Sequence, residues 1–250
     1  MHHFTAMRKA TATLCLGPVL ILLSGCAKGL DKTAVMSSAN YAERPTLDGS
    51  LFPSDQAVLG DEAIARILSS KLELPPRAKV ALIKFPDPGG SPYRYRWTDE
   101  ERVRLEQDYV ETLSSILLGS EQIQEVTPMP SLMTPRTPSI PILREAAVRM
   151  QADLLLIFQT SSDTYSKYRA FAKDKVKAYS TCEIVLVDVR TGLIPFTRIV
   201  TREIVMEKQS PDFDLSETMR NAERAAALEA LRASVTDLVS FIKDVPKKGS

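Results

Sequence analysis

Five consecutive apolar residues, the run LLLIF at 154–158, constrain the fold of this chain more than any other feature of its sequence. A strand that is apolar on every residue must be covered on both faces, so a sheet with layers on either side is predicted. Two further runs rich in Val, Ile and Thr, at residues 178–189 and 196–207, flank the turn sequence RTGL. This pattern predicts an antiparallel hairpin in the same sheet.

Shorter signals supply the remaining elements. Apolar runs at 79–85 and 123–127 predict two more strands. Spacings of three and four between apolar residues predict four helices. The first covers residues 61–72 and is capped by Asp61, and the third covers residues 142–150. The second begins at the Thr98–Glu101 capping box, has Val103 in its apolar seam and ends at Gly119, and the fourth is a long helix that begins at Asp214 and Glu217. The predicted order is α-β-α-β-α-β-β-β-α. The fold class is therefore α/β (α+β), with a mixed sheet of about five strands, helices packed on it, and a long C-terminal helix.

The N-terminus has the three parts of a bacterial export signal in their usual order. Arg8 and Lys9 provide positive charge, residues 10–23 are uncharged and mostly apolar, and the box LSGC ends at Cys26. A helix over residues 10–23 is about 21 Å long, too short for a hydrocarbon core of about 30 Å. The segment is therefore predicted to be a signal peptide, and the box matches the lipobox of lipoproteins.

Lipidation at Cys26 would anchor the protein to a membrane, and the residues after it favour one location. Asp next to the cysteine favours retention in the inner membrane, whereas Ala27 and Lys28 stand here. We therefore expect an outer-membrane protein that faces the periplasm. The predicted organisation is a signal peptide at 1–25, a flexible tether at 26–59, an α/β domain at 60–245 and a tail at 246–250. The alternative is an ordinary secretory signal with a chance cysteine.

Several function classes find no support in the composition. With 32 Lys+Arg against 31 Asp+Glu, the composition gives no reason to expect nucleic acid as the main partner, because counterion release requires a concentrated basic surface. Both histidines, His2 and His3, lie in the predicted signal peptide, so histidine-based catalysis and histidine–cysteine zinc sites are not expected. Cys182 lies in a predicted buried strand and is interpreted as a packed thiol. No nucleotide-binding glycine motif occurs, so we expect no cofactor, no metal and no enzymatic activity, with a carboxylate-dependent hydrolase as the alternative.

One loop alternates aromatic and cationic residues before the Thr98 cap. Aromatic and arginine side chains dominate protein–protein hot spots, because they bury much area at little cost in entropy. The segment is thus a candidate partner-binding surface, although packing of its rings onto the domain is equally compatible with the pattern. Its members are Tyr93, Arg94, Tyr95, Arg96 and Trp97.

A second candidate surface is a basic patch within residues 165–177. That stretch is predicted to be a protruding loop or edge hairpin. Its cations would face lipid phosphates or an acidic protein, or would only keep a strand edge soluble. They are Lys167, Arg169, Lys173, Lys175 and Lys177. Asp188 and Gly192, by contrast, are predicted to form a structural turn.

Two strands carry a resemblance to known envelope proteins. The sequence QADLLLI at 151–157 resembles the "ADxLLxG" strand of a group of lipoproteins, and IVLVDVRTG at 184–192 is similar to their "lvDxxTG" hairpin. The group includes the curli secretion lipoprotein, the lipoprotein activators of penicillin-binding proteins and the TolB N-terminal domain. The chain also resembles the rhombotarget lipoprotein family. The resemblance implies a compact α/β sandwich over roughly residues 75–243.

These observations predict a lipid-anchored module that binds another envelope component. The alternative is a subunit of an oligomeric secretion or envelope-assembly complex. A curli-type membrane pore is not expected, because the five cations of the basic patch occupy the segment that would have to enter the bilayer.

Overall fold

A five-stranded mixed sheet in the order β2-β1-β3-β4-β5 forms the centre of the structure. The computed structural model describes residues 60–85, 98–134, 138–167, 174–209 and 214–247. Its elements are α1 (Asp61–Ser69), β1 (Ala78–Lys84), α2 (Asp99–Leu118), β2 (Ile123–Pro128), a short 3₁₀ helix (Ser131–Met133), α3 (Ile140–Arg149), β3 (Leu154–Lys167), β4 (Lys175–Asp188), β5 (Phe196–Glu207) and α4 (Leu215–Asp244). The predicted order of elements and the predicted α/β class are both confirmed.

The sheet has a parallel part and an antiparallel part that meet at β3. Strand β1 pairs in parallel with both β2 and β3, whereas β3 pairs antiparallel with β4, and β4 with β5. Helices α2 and α3 provide the long connections that parallel neighbours require. The outer strands of the sheet are β2 and β5. Strand β1 pairs only with residues 154–158 of β3, so the far half of β3 is paired only with β4 among the described strands.

Alternate residues of β3 enter two separate cores, as its apolar run predicts. Leu154, Leu156 and Phe158 join the core beneath α2 and α4. Leu155 and Ile157 join a second core, on the opposite face, beneath α3. All five side chains are buried, which confirms that this part of the strand is covered on both sides.

Helix α4 spans 30 residues and packs across β3, β4 and β5. Its first turn is capped by the Asp214 carboxylate, which accepts a hydrogen bond from the Glu217 N–H at 2.8 Å. Alanines at 222, 226, 227 and 230 are fully buried, and small residues of this kind let the helix approach the sheet closely. The predicted long C-terminal helix and its capping residue are thereby confirmed.

Helix α1 departs from the predicted bounds. Gly60, not Asp61, is its N-cap, and the helix ends at Ser69, before Leu72. The hydroxyl groups of Ser69 and Ser70 both donate to the Arg66 carbonyl, so side chains satisfy the end of the helix locally. None of its residues is buried, although its apolar spacing indicated a buried face.

Helix α2 confirms the predicted capping box, in which Thr98 and Glu101 exchange hydrogen bonds. Its predicted seam is only partly correct, because Val103 in the second turn is 53% exposed while Tyr109 and Leu113 are buried. Gly119 does end the helix, but at φ −68° it does so in the right-handed region, so no left-handed residue is needed there.

Candidate functional site

Helix α3 covers only one end of the sheet face opposite α4, and the far half of that face carries a polar and aromatic surface. Alternation along the paired strands places fifteen side chains there, and we call this surface the open sheet face. Its members are Gln159, Ser161, Asp163, Tyr165, Lys167, Lys175, Lys177, Tyr179, Thr181, Glu183, Ile199, Thr201, Glu203, Val205 and Glu207. Among the described residues, the β5 members of the set are all exposed. A broad surface of this kind suits contact with a macromolecule rather than enclosure of a small molecule.

Lys177 is the centre of a bonded group on the open sheet face. Its Nζ lies 2.6 Å from Oε1 of Glu203 and donates to the Tyr179 hydroxyl at 2.8 Å. The Tyr179 ring packs edge-on against Tyr165, with ring centroids 5.8 Å apart. The hydrogen bond that the Lys177 ammonium donates to the Glu203 carboxylate raises the pKa of Lys177 and lowers the pKa of Glu203. Both charged forms are therefore favoured in the folded protein.

The predicted basic patch is partly neutralised by acids that the sequence pattern did not bring to it. Nζ of Lys175 lies 2.7 Å from Oε1 of Glu207. This ion pair, like the one between Lys177 and Glu203, forms because antiparallel pairing places β5 next to β4. Lys167 is exposed and stands opposite Lys175 in register. Residues 165–167 and 175–177 are the ends of the antiparallel strands β3 and β4, and β1 does not reach this part of β3, which agrees with the predicted edge hairpin. Arg169 and Lys173 lie outside the described residues.

The aromatic segment and the lipidation site also lie outside the described residues. Residues 93–97, with Tyr93, Arg94, Tyr95, Arg96 and Trp97, belong to the connection between β1 and α2, and Cys26 precedes the described part of the chain. Both assignments remain predictions from the sequence.

The turn between β4 and β5 is structural, as predicted, and is held by an arginine that the sequence did not single out. The Asp188 carboxylate accepts the N–H groups of Arg190 and Thr191, each at 3.3 Å. Gly192 has a positive φ of 80°. Arg144 of α3 donates from Nε to the Val189 carbonyl at 2.6 Å and from a terminal guanidinium nitrogen to the Arg190 carbonyl at 2.9 Å. Helix α3 is thereby joined to this turn.

The chemistry available to Cys182 is limited by its position. Its side chain is fully buried beneath α4, and burial raises the pKa of the thiol to about 11, while a hydrogen bond with Ser234 acts in the opposite direction. A protonated, inaccessible thiol is a poor nucleophile, so the interpretation as a packed residue is supported. Among the described residues, no group of three or more His, Cys, Asp or Glu side chains is placed to hold a metal ion.

A shallow groove of about 420 Å³ lies between β5 and α4. Arg198 Nε lies 2.7 Å from Oδ2 of Asp237, and Arg202 Nε lies 3.8 Å from Oε1 of Glu229, so each arginine of β5 pairs with an acid of α4. Between these ion pairs the helix contributes the small side chains of Ala233 and Thr236. The groove therefore has space beside the outer edge of β5.

No protein-family model matches the sequence, and no curated protein matches it either. Among solved structures, the chain is similar to the PelC dodecamer from Paraburkholderia phytofirmans, at 17% identity and a TM-score of 0.30 over 66% of this chain and 93% of that one. It is also similar to a lipoprotein from Caulobacter crescentus CB15, at 9% identity and a TM-score of 0.35 over 73% and 96%. A third neighbour is a neuraminyllactose-binding hemagglutinin homolog from Helicobacter pylori, at 14% identity and a TM-score of 0.39 over 71% and 89%.

Several of these neighbours carry the name lipoprotein, including proteins from Acinetobacter baumannii and Neisseria meningitidis. Identities and TM-scores this low do not establish a family or a function for the chain. None of the helices in the described part of the chain combines the length and apolarity needed to cross a bilayer.

Proposed function

We propose that this protein is a lipid-anchored lipoprotein of the outer membrane, facing the periplasm, whose α/β domain binds another component of the envelope. It works without a cofactor and without catalysis. Acyl chains on Cys26 confine the domain near a membrane, which raises its effective concentration for a partner in the same compartment.

One observation carries the proposal, the order of signals at the N-terminus. Positive charge at Arg8 and Lys9 is followed by the apolar segment 10–23 and then by the box that ends at Cys26. Each part has a physical role in export, and a cysteine directly after small residues is the substrate that lipoprotein processing requires. A polar chain the length of residues 27–59 spans about 30 Å on average, enough to hold the domain beside the membrane.

Metabolic labelling with a palmitate analogue tests the anchor, and the chain offers a matched control. Cys15 lies within the apolar segment and is removed with the signal peptide in the proposed processing, whereas Cys26 is retained. Cys26→Ser is expected to lose the label and to release the protein from washed membranes. Cys15→Ser is expected to keep both the label and the membrane association. A label that survives Cys26→Ser, or a mature protein without an acylated N-terminal cysteine by mass spectrometry, would refute the proposal.

Partner binding is proposed to involve the aromatic segment at 93–97. Its support is compositional: three aromatic rings and two arginines within five residues, including the sole tryptophan of the chain. Such clusters supply the anchors of protein interfaces.

A second candidate, a subunit of an oligomeric envelope complex, is favoured by the exposed edge of β5. Edge strands that are long and unprotected are sites of association. Sedimentation of the detergent-extracted protein distinguishes the two candidates, because the oligomeric subunit is expected to form rings or filaments without any other protein, whereas a binding module is expected to sediment as a monomer or a dimer.

A further inference from the structure

Strand β5 is the last strand of the sheet and is twelve residues long. No strand in the described ranges pairs with its outer edge. Natural edge strands are usually protected by charged side chains, proline or a bulge, or are kept short. The sequence of β5, FTRIVTREIVME, contains neither proline nor lysine, and its pairing with β4 runs without a register shift. The strand is therefore long and regular, and each of its charged residues, Arg198, Arg202, Glu203 and Glu207, forms an ion pair within its own copy.

The hydrogen bonds around β5 identify which residues face outwards. Lys208, just after the strand, donates its N–H to the Asp174 carbonyl at 2.9 Å, in register with the β4–β5 ladder. Because antiparallel bonds alternate along a strand, even-numbered residues of β5 bond to β4 and odd-numbered residues direct their N–H and C=O groups to the free edge. Side chains occupy two of these outward carbonyls, since Arg202 donates to Thr201 at 3.2 Å and Gln209 to Glu207 at 3.1 Å.

Four of the six apolar side chains of β5 are arranged symmetrically about Arg202. Ile199 is 66% exposed and Val205 is 53% exposed, and both belong to the open sheet face. In an antiparallel pair of identical strands centred on Arg202, Ile199 of one copy stands opposite Val205 of the other. Val200 likewise stands opposite Ile204 on the α4 face. Shifting the centre by one residue in either direction would place Ile199 opposite a glutamate, at position 203 or 207, so the centre at Arg202 gives the best apolar match.

We propose that the free edge of β5 pairs antiparallel with the same edge of a second copy of this chain, around a two-fold axis at Arg202. The two five-stranded sheets then form one continuous sheet. Backbone groups of the odd-numbered residues bond across the axis, and the exposed Ile199 and Val205 side chains become neighbours.

The groove beside β5 provides room for the second copy on the α4 face. Helix α4 packs across β3, β4 and β5, so pairing at the free edge of β5 places the two copies of the helix on the same face of the joined sheet. Ala233 and Thr236, which line the groove, are small enough for such an approach.

The charges at this edge are also compatible with self-association. Arg198 and Arg202 are balanced by Asp237 and Glu229 within each copy. Bringing two such edges together therefore joins two neutral clusters, although the two Arg202 side chains face each other across the axis. The acids of α4 compensate this one like-charged contact.

Cysteine cross-linking of the full chain in native membranes tests both the pairing and its register. Residues opposite themselves at the axis lie within disulfide distance, so Arg202→Cys is expected to give a covalent dimer on mild oxidation. Thr197→Cys is the matched control, because its two copies would lie about 34 Å apart and are expected not to cross-link. Equal cross-linking of the two variants, or a cross-link from position 202 to a different protein, would overturn the proposal.

A second measurement does not depend on an introduced cysteine. Wild-type protein in detergent is expected to sediment as a dimer, and Ile199→Lys combined with Val205→Lys is expected to weaken dimerisation at least tenfold. Both side chains are exposed, so an unchanged thermal melt would show that the variant is folded. A monomeric wild type, or a dimer that survives both lysines, would contradict the pairing. Since the pairing does not require acylation, Cys26→Ala combined with Arg202→Cys is expected to leave the membrane yet still cross-link.

Discussion

The carboxylate of Asp153 accepts a hydrogen bond from the backbone N–H of Lys79, with 2.9 Å between Oδ2 and N. The backbone of Asp153 also donates to the Lys79 carbonyl at 2.8 Å and accepts from the Val189 N–H at 3.0 Å. Asp153, directly before β3, thus joins the start of β1 to the residue that follows β4. The Ala-Asp pair that carried the resemblance to envelope lipoproteins has a structural role in this chain.

Replacing Asp153 with alanine is expected to destabilise the fold by about 2 kcal/mol, because a partly buried backbone N–H loses its acceptor. Denaturant unfolding followed by circular dichroism measures this change. Asp163→Ala is a suitable control, since that carboxylate is exposed on the open sheet face and its loss is expected to cost less than about 0.5 kcal/mol. Equal effects of the two substitutions would show that the bond to Lys79 does not contribute.

Local patterns predicted most of the fold, and the failures have a common cause. The apolar run in β3 and the caps of α2 and α4 are signals within a single element, so they could be recognised without knowledge of the neighbours. The bonds from Asp153 to Lys79 and from Arg144 to the β4–β5 turn join residues far apart in sequence. No local pattern distinguishes these side chains from ordinary surface charges.

The same cause explains the basic patch. The lysines of the patch follow one another along a single segment, whereas the net charge of the surface also depends on Glu203 and Glu207, which belong to another strand. Register between strands decides which side chains meet, and the register depends on the whole sheet.

Gly192→Ala is expected to destabilise the protein by about 1–3 kcal/mol. At a φ of 80° an L-residue is strained, and an added Cβ would lie 2.9 Å from a guanidinium nitrogen of Arg144. A double-mutant cycle with Arg144→Ala separates these effects, since the steric part vanishes when the guanidinium is absent and the backbone strain remains.

Gly60→Ala provides the control for the turn. Nothing lies within 4 Å of a Cβ at that position, and it caps α1, a helix without buried residues. Its effect on global unfolding is expected to be small. If Gly192→Ala lowered the free energy of unfolding no more than Gly60→Ala, the structural role of the turn would be contradicted.

The thiol of Cys182 is expected to resist alkylation in the folded protein. Burial raises its pKa to about 11, so at pH 8 the thiol is protonated as well as inaccessible. Iodoacetamide labelling of the Cys15→Ser, Cys26→Ser chain should be slow in buffer and fast in denaturant. Leu132→Cys in that background adds a thiol at a position that is 98% exposed, and it is expected to react at once in both conditions. Rapid labelling of Cys182 in the native state would show that the interpretation as a packed thiol is wrong.

The Lys177–Glu203 pair has a defined pH dependence. Because the pKa of Glu203 is lowered in the folded state, its contribution is present above the ordinary carboxyl range and is lost as the pH falls through the lowered value. The pKa of Lys177 is raised, so its contribution is complete below the ordinary lysine range and is lost as the pH rises through the raised value. Exposure keeps the effect on stability small.

A carboxyl NMR titration measures the same pair directly. The Glu203 resonance is expected to titrate below the usual glutamate range and to return towards it in Lys177→Met. Lys175→Met is expected to leave Glu203 nearly unchanged, because Lys175 pairs with Glu207. An ordinary titration of Glu203 in the wild type would show that the pair does not persist in solution.

The aromatic segment is the place where loss of binding is expected without loss of fold. Tyr95→Ala combined with Trp97→Ala removes two rings that would anchor a partner, so in-membrane cross-linking to that partner is expected to fall at least tenfold. Tyr41→Ala combined with Phe52→Ala, in the proposed tether, removes the same number of rings and is expected to leave the cross-link intact. A thermal melt of each variant checks the fold. If the Tyr95 and Trp97 variant captured its partner normally while folded, binding would have to reside elsewhere, and the open sheet face would be the next surface to mutate.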